Sequence, residues 1–325
     1  MRKYLLTIIT ILAAIHGHAQ VIEQLSPQEK KQLTVVTEPF TMYKGFLRAG
    51  LSTNVMFQDK NFDASGDKIN YETNSSNYIQ ATILSLRYGI TDRLELEGTI
   101  PMSNGRVSGS YTQEIPGSGV FSEEQIAVKY NGLADAMAIL RYTFWQNESK
   151  SLGAVVSLGG YIPTGKNRVT NFKNFNEFNA PVAKGEPGLF SEFRIRKIQY
   201  PFSIEFGVAY SKFFGAEKQL EPEGESVKVV SGSEFLFRPQ VNFHLNDWVV
   251  LTHYLDYYRA AKDDYDGVDV FLMHNKEYEQ WVMRYYPGIS FQVKRLRLEQ
   301  VVQIPLKGKI FSADPAFYFS AAYIF

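Results

Sequence analysis

The chain predicts an all-β fold: a transmembrane antiparallel β-barrel of about 12 strands, with short periplasmic turns and long extracellular loops. Three observations carry that expectation. Apolar and polar residues alternate with a period of two in segment after segment, the pattern of a strand with two unlike faces. The connections between these segments alternate between short and long, as they do where one barrel rim faces the periplasm and the other faces outside. The last segment places Phe317, Phe319, Ala321, Tyr323 and Phe325 on one face and ends on an aromatic ring.

Residues 1–19 have the order of a signal peptide. Arg2 and Lys3 form a basic start, Tyr4 to Ile15 is a short apolar run, and Gly17 and Ala19 are the small residues before a cleavage site at Gln20. The run falls short of the ~20 apolar residues that a spanning helix needs. No later segment is apolar for as many as 18 residues, which leaves a closed barrel as the spanning structure. Removing Arg2 and Lys3 leaves 32 basic and 34 acidic residues, a charge of −2. Residues 20–43 form a periplasmic lead-in. Ser26-Pro27-Gln28-Glu29 has the capping hydroxyl, first-turn proline and returning glutamate of a short helix. The lead-in serves either as a spacer or as a small plug.

The barrel proper covers 44–325. Its strands fall at about 45–58, 77–89, 92–103, 132–145, 151–163, 187–198, 200–213, 232–245, 248–260, 278–292, 295–306 and 314–325. In the seventh, Phe202, Ile204, Phe206, Val208 and Tyr210 oppose Ser203, Glu205 and Ser211. In the eighth, Phe235, Phe237, Val241 and Phe243 oppose Glu234, Arg238, Gln240 and Asn242. A charged second face calls for water or a polar lumen. Tight joints at Gly89 to Asp92, Gln146 to Lys150, Gln199, Asn246-Asp247 and Lys294 follow the even-numbered strands. Polar stretches at 59–76, 104–131, 164–186, 214–231 and 261–277 follow the odd ones. Pro239 and Pro287 fall inside strands, where each removes a ladder hydrogen bond, so they mark candidate bulges.

Composition excludes several classes. The formal charge is zero, so no basic excess points to nucleic acid. Cysteine is absent, which excludes disulfides, thiolate metal sites and a lipoprotein anchor. The 20 Tyr and 24 Phe suit aromatic girdles at two membrane interfaces.

Three stretches carry a family likeness: Tyr88 to Pro101 (YGITDRLELEGTIP), Gly132 to Phe144 (GLADAMAILRYTF) and Val155 to Lys166 (VVSLGGYIPTGK). Over about a quarter of its length the chain resembles the meta-pathway phenol-degradation family of outer-membrane transporters. Pro163, Thr164, Gly165 and Lys166 match that family's strand-ending motif. Gly132 and Asp135 match its Gly-x-Gly-Asp element, with Ala134 in place of the second glycine. The resemblance implies a barrel that passes small, often aromatic or apolar, molecules.

The inward-facing charges are the candidate lumen-lining residues. They are Arg48, Arg93, Glu95, Glu97, Arg141, Glu192, Arg194, Arg196, Glu205, Glu234, Arg238, Arg284, Arg297 and Glu299, with Arg87 and Asp135 on the same register. A single-sign ring selects ions. A nearly balanced set instead braces a narrow lumen by cross-strand pairing, or lines a substrate path. Glu97, Arg141, Glu192 and Arg238 meeting in one layer would close the pore, whereas a groove beside Val155 and Tyr161 would favour apolar ligands. Glu95 and Glu97 form a carboxylate pair, but Arg93 beside them argues for ion pairing over acid–base work. Past the signal segment only His244, His253 and His274 are histidines. A barrel hydrolase needs a serine beside one of them and a polar group orienting the ring; His253 has Leu251 and Leu255 as its same-face neighbours. Asp59, Asn61 and Asp63 begin like a calcium loop, but Ala64 and Asn70 stand where glycine and glutamate are required. Asp263, Asp264, Asp266 and Asp269 form a second acidic loop.

The expectation is therefore an outer-membrane channel or transporter for small molecules. The alternative is a closed-lumen barrel that acts through its outer loops, and the third reading is an outer-membrane hydrolase. No catalytic residue, metal ligand or cofactor is assigned. The expected partners are outer-membrane lipid, a small-molecule substrate, and the barrel-assembly machinery through the strand ending at Phe325; nucleic acid is not among them.

Overall fold

The structure is a computed structural model that describes residues 40–325, apart from 58, 71–77, 115–120, 166–169, 174–176, 181, 220–225 and 266–278. The signal segment, the Ser26 to Glu29 helix start, Lys166, Asp266, Asp269 and His274 lie outside the described residues.

Twelve antiparallel strands close into one barrel. They are β1 (Leu47–Phe57), β2 (Tyr78–Thr91), β3 (Leu94–Glu114), β4 (Ala136–Gln146), β5 (Leu152–Ile162) and β6 (Gly188–Gln199). They continue with β7 (Phe202–Phe213), β8 (Glu234–His244), β9 (Val249–Ala260), β10 (Gln280–Val293), β11 (Leu296–Lys309) and β12 (Ala316–Ile324). Each strand pairs with its sequence neighbours, and β12 pairs back onto β1, from Arg48 opposite Ile324 to Met56 opposite Ala316. The Phe325 amide donates to the Leu47 carbonyl at 2.7 Å and fastens the seam. The β12–β1 pairing closes the twelve-stranded wall on itself, so among the described residues no barrel strand presents an edge to lipid, as a bilayer requires.

Alternation decides which side chains meet lipid. Leu84, Leu96, Leu140, Leu158, Phe193 and Phe206 point outward and are exposed. Residues of opposite parity, such as Glu95, Arg141, Ser157 and Asp256, are buried inside. The joints after β2, β4, β6, β8 and β10 are two to five residues long, so this is the periplasmic rim. Lys150 and Lys294 take positive φ values of 53° and 55° at two of these turns.

Two features differ from the sequence reading. Residues 104–114 and 121–133 extend as a paired hairpin rather than a loop, from Asn104 opposite Asn131 to Glu114 opposite Phe121. Their many polar residues argue against strand taken alone, but each arm satisfies the other's backbone groups. Pro239 and Pro287 interrupt the ladders on one side without shifting register. The bulge lies nearby, where Pro305 to Lys307 oppose Arg284 and Met283.

The family-like motifs meet at the outer rim. Thr164 Oγ1 donates to the Ala134 carbonyl at 3.0 Å and accepts the Ala136 amide at 2.9 Å. Asp135 accepts the Gly185 amide at 2.7 Å and the Gly165 amide at 3.4 Å. A Cβ on Gly165 would fall 2.2 Å from that of Ala183. The motif is thus a backbone clasp between the β3–β4 and β5–β6 connections.

Candidate functional site

The lumen divides into a filled side and an open side. On the filled side, register places Arg87 opposite Glu97 and Glu95 opposite Arg141. Directly opposed residues share a face and approach closely. Arg87 Nε lies 3.0 Å from Glu95 and 3.3 Å from Glu97, and Arg141 Nη1 donates to both carboxylates, at 2.9 Å to Glu95. Glu95 is 1% exposed. Arg48 lies opposite Arg87 on the same inner face.

Residues 40–46 enter the periplasmic mouth on this side. Phe40, Met42, Tyr43 and Phe46 are buried. The Met42 amide donates to Glu95 Oε2 at 2.7 Å. Thr41 Oγ1 donates to the Asp92 carbonyl at 3.2 Å and lies 3.1 Å from Thr143 Oγ1. The Arg196 guanidinium lies 4.4 Å from the Phe40 ring centroid. Gly89 is obligatory here, because a Cβ would fall 1.9 Å from the Tyr43 carbonyl oxygen.

The open side is a cavity of ≈ 320 Å³ against β6 to β9 and β11. Its charged wall comprises Glu192, Arg194, Arg196, Glu205, Arg238, Arg297 and Glu299. Arg194 pairs with Glu192 at 3.3 Å and Glu205 at 3.6 Å, and Arg196 lies 3.9 Å from Glu205. Arg297 pairs with Glu299 at 3.4 Å. Leu236, Val250 and Tyr254 add apolar surface. Behind this wall Asp256 receives Arg284 Nε at 2.8 Å, Arg284 Nη2 at 3.1 Å and Arg238 Nη2 at 3.2 Å. Tyr254 and Tyr286 stack beside the triad at 4.3 Å, and Tyr286 and Tyr318 both donate to Gln303 Oε1.

Two candidates lie elsewhere. Arg93 sits in the Asp92-Arg93 turn and is exposed, because β3 begins one residue later, at Leu94. Glu234 stands at the outer end of β8, where Lys184 Nζ binds it at 2.5 Å. Glu97 and Arg141 do not meet Glu192 and Arg238 in one cluster: the first two belong to the filled cluster and the last two to the cavity wall. Val155 lines a small pocket with Phe40, Arg194, Arg196 and Glu205, and Tyr161 bonds Ser211 at 3.0 Å, so these two do not share one groove.

Sequence reading passed over Asp256, although its parity with Thr252 and Tyr254 marks it as inward. It also passed over Glu186, a fully buried loop carboxylate bound by Lys218, Ser231 and the Gly215 amide. Burial raises the Glu186 pKa, but the hydrogen bonds from Lys218 and Ser231 more than offset this and hold it below the ordinary carboxylate value.

His253 faces outward, and its Nδ1 meets the Tyr285 hydroxyl at 2.6 Å. A serine does approach a histidine at the periplasmic end, where Ser203 Oγ lies 3.4 Å from His244 Nε2, both residues being buried. Among the described residues His244 Nδ1 has no hydrogen-bond partner, so the ring lacks the orienting group that a catalytic base requires.

No family model and no curated protein matches the chain. Among solved structures, an outer membrane channel from Pseudomonas putida F1 superposes with a TM-score of 0.62 at 12% identity, covering 88% of this chain and 97% of that one. The β domain of the Bordetella autotransporter BrkA gives 0.45 at 12% identity, covering 86% and 99%. The KdgM porin gives 0.43 at 8% identity, covering 85% and 98%. The first of these likenesses shows the fold, that of an outer-membrane β-barrel. With its closed sheet and apolar outer wall, the protein belongs in the bacterial outer membrane. The resemblance to the meta-pathway phenol-degradation family rests on its motif residues alone.

Proposed function

We propose that this barrel is a channel for small molecules, with apolar or aromatic solutes as its substrates. The observation that carries the reading is the ≈ 320 Å³ cavity inside the barrel, which combines paired charges with Leu236, Val250 and Tyr254. The cavity has the volume of a small-molecule site, and its lining is mostly polar with these apolar side chains set among the charges. Among the described residues the luminal charges are mixed in sign and largely paired, unlike the single-sign rings that select ions. The family-like motifs at Gly132, Asp135 and Pro163 to Gly165 support aromatic or apolar cargo.

A second reading is a closed barrel that acts through its outer loops. It is favoured by residues 40–46, which pack into the periplasmic mouth and pin their backbone to Glu95. Planar-bilayer recording from the purified mature protein separates the two. Discrete current steps are expected for the channel. Stable insertion without current would overturn it in favour of the closed barrel.

A further inference from the structure

We infer that Arg238 forms a luminal binding subsite for a small amphiphilic monocarboxylate. This deepens the channel reading by naming a substrate class, and its test is separable from that reading. The argument begins with stoichiometry. Arg238 and Arg284 share one carboxylate, Asp256, and Arg284 already holds it through two nitrogens. Arg238 contributes a single contact at 3.2 Å. The cavity wall repeats the imbalance, with one more arginine than glutamate among its charged residues. Its three glutamates each lie within 3.6 Å of Arg194 or Arg297. Arg196 shares Glu205 with Arg194 and its side chain is 8% exposed, so the excess positive charge open to a solute lies at Arg238.

Exposure selects the same residue. The Arg238 side chain is 40% exposed, against 14% for Arg284, 21% for Arg194 and 17% for Arg297. It projects from the inner face of β8 into the cavity, so the exposed part meets the lumen. One face of Tyr254 supports the guanidinium at 4.9 Å, and Tyr286 stacks on that tyrosine at 4.3 Å. The group is thus held in place yet accessible.

A guanidinium fork binds a carboxylate with two parallel hydrogen bonds. Leu236 and Val250 in the same wall supply surface for an apolar body. Glu192, Glu205 and Glu299 surround the cavity and disfavour a second negative charge. A monoanion with an apolar body is the ligand that satisfies all three conditions.

The test is equilibrium dialysis of radiolabelled benzoate against the full mature barrel in neutral micelles, with protein-free micelles as blank and benzamide as the uncharged analogue. Saturable binding of benzoate is expected, with benzamide at the blank level. Arg238→Gln is expected to weaken benzoate binding at least about tenfold, the scale of a lost charge-assisted hydrogen bond. Heat-modifiable gel migration checks that the variant is folded. Should it not fold, Glu299→Gln provides the reading, since removing a wall carboxylate is expected to tighten binding severalfold. Equal binding by wild type and Arg238→Gln, equal binding of benzamide and benzoate, or weaker binding by Glu299→Gln would overturn the subsite. A barrel that binds benzoate through Arg238 but passes no current keeps the subsite and loses the channel. A barrel that conducts without binding benzoate loses the subsite alone.

Discussion

On the wall built by β2, β3 and β4, Arg87 and Arg141 face Glu95 and Glu97, two cations against two anions, and the Met42 amide adds a hydrogen bond to the cluster. On the wall built by β8, β9 and β10, Arg238 and Arg284 share Asp256 alone, and the more exposed guanidinium faces open space. The residue types are the same, so composition does not separate the two walls. Register and stoichiometry do. Where Arg87 faces Glu97 and Arg141 faces Glu95 directly across a strand pair, the charges neutralise one another and are largely buried. Where one carboxylate serves two arginines, a positive charge is left facing the lumen. One barrel thus has a braced half that also anchors residues 40–46, and a half able to receive a solute.

The largest expected effect comes from breaking the braced half. Glu95→Gln leaves Arg87 and Arg141 with one carboxylate and weakens the Met42 anchor. Removing one partner from a buried charge cluster costs about 3–5 kcal/mol. The urea midpoint for loss of heat-modifiable migration should fall markedly, and conductance should rise as residues 40–46 leave the mouth. A variant with wild-type midpoint and wild-type current would show that the two halves do not differ in this way.

Asp256→Asn sharpens the contrast on the open wall. It removes the shared anion, but water reaching Arg238 screens the change, so the expected cost is about 2–3 kcal/mol. The bilayer reversal potential in a salt gradient should move toward anion selectivity. An unchanged potential would mean that the triad is electrically remote from the permeation path.

Glu186 tests a third environment, the outer loops. Its pKa is depressed, so its contribution to stability is present above the unfolded carboxylate value and is lost as pH falls through the lower folded one. Limited proteolysis should therefore find the bonds around Gly215 to Lys218 and at Ser231 protected at about pH 7 and about pH 5, and cut only in stronger acid. Glu186→Gln should expose the same bonds at neutral pH. Cleavage of the wild type already at about pH 5 would contradict the depressed pKa. The smallest effect belongs to Arg259→Ala. Arg259 and Glu279 pair at 2.7 Å, but their side chains are about half exposed. Solvent screens such pairs, so no measurable shift of the unfolding midpoint is expected.

Much of the barrel was legible in the residues. Alternation along Phe202 to Tyr210 places the lipid face of β7, and the same rule brings most candidate charges inside. The rule failed where local chemistry competes with pairing. Arg93 continues the parity of Glu95 but falls in a turn, and the polar 104–114 and 121–133 look like a loop until each arm supplies the other's hydrogen bonds. Asp256 is readable by its parity with Thr252 and Tyr254. Glu186 had no such signal, since its partners Lys218 and Ser231 come from another connection.

By itself, then, the sequence determined the strand number, the rim of each connection and the face of most side chains. These follow from a period of two and from turn length, both local along the chain. Tertiary structure alone decided which charges pair, which arginine is left over, and where residues 40–46 lodge. Pairing depends on register between strands and on which walls approach across the lumen, and no local pattern encodes those distances.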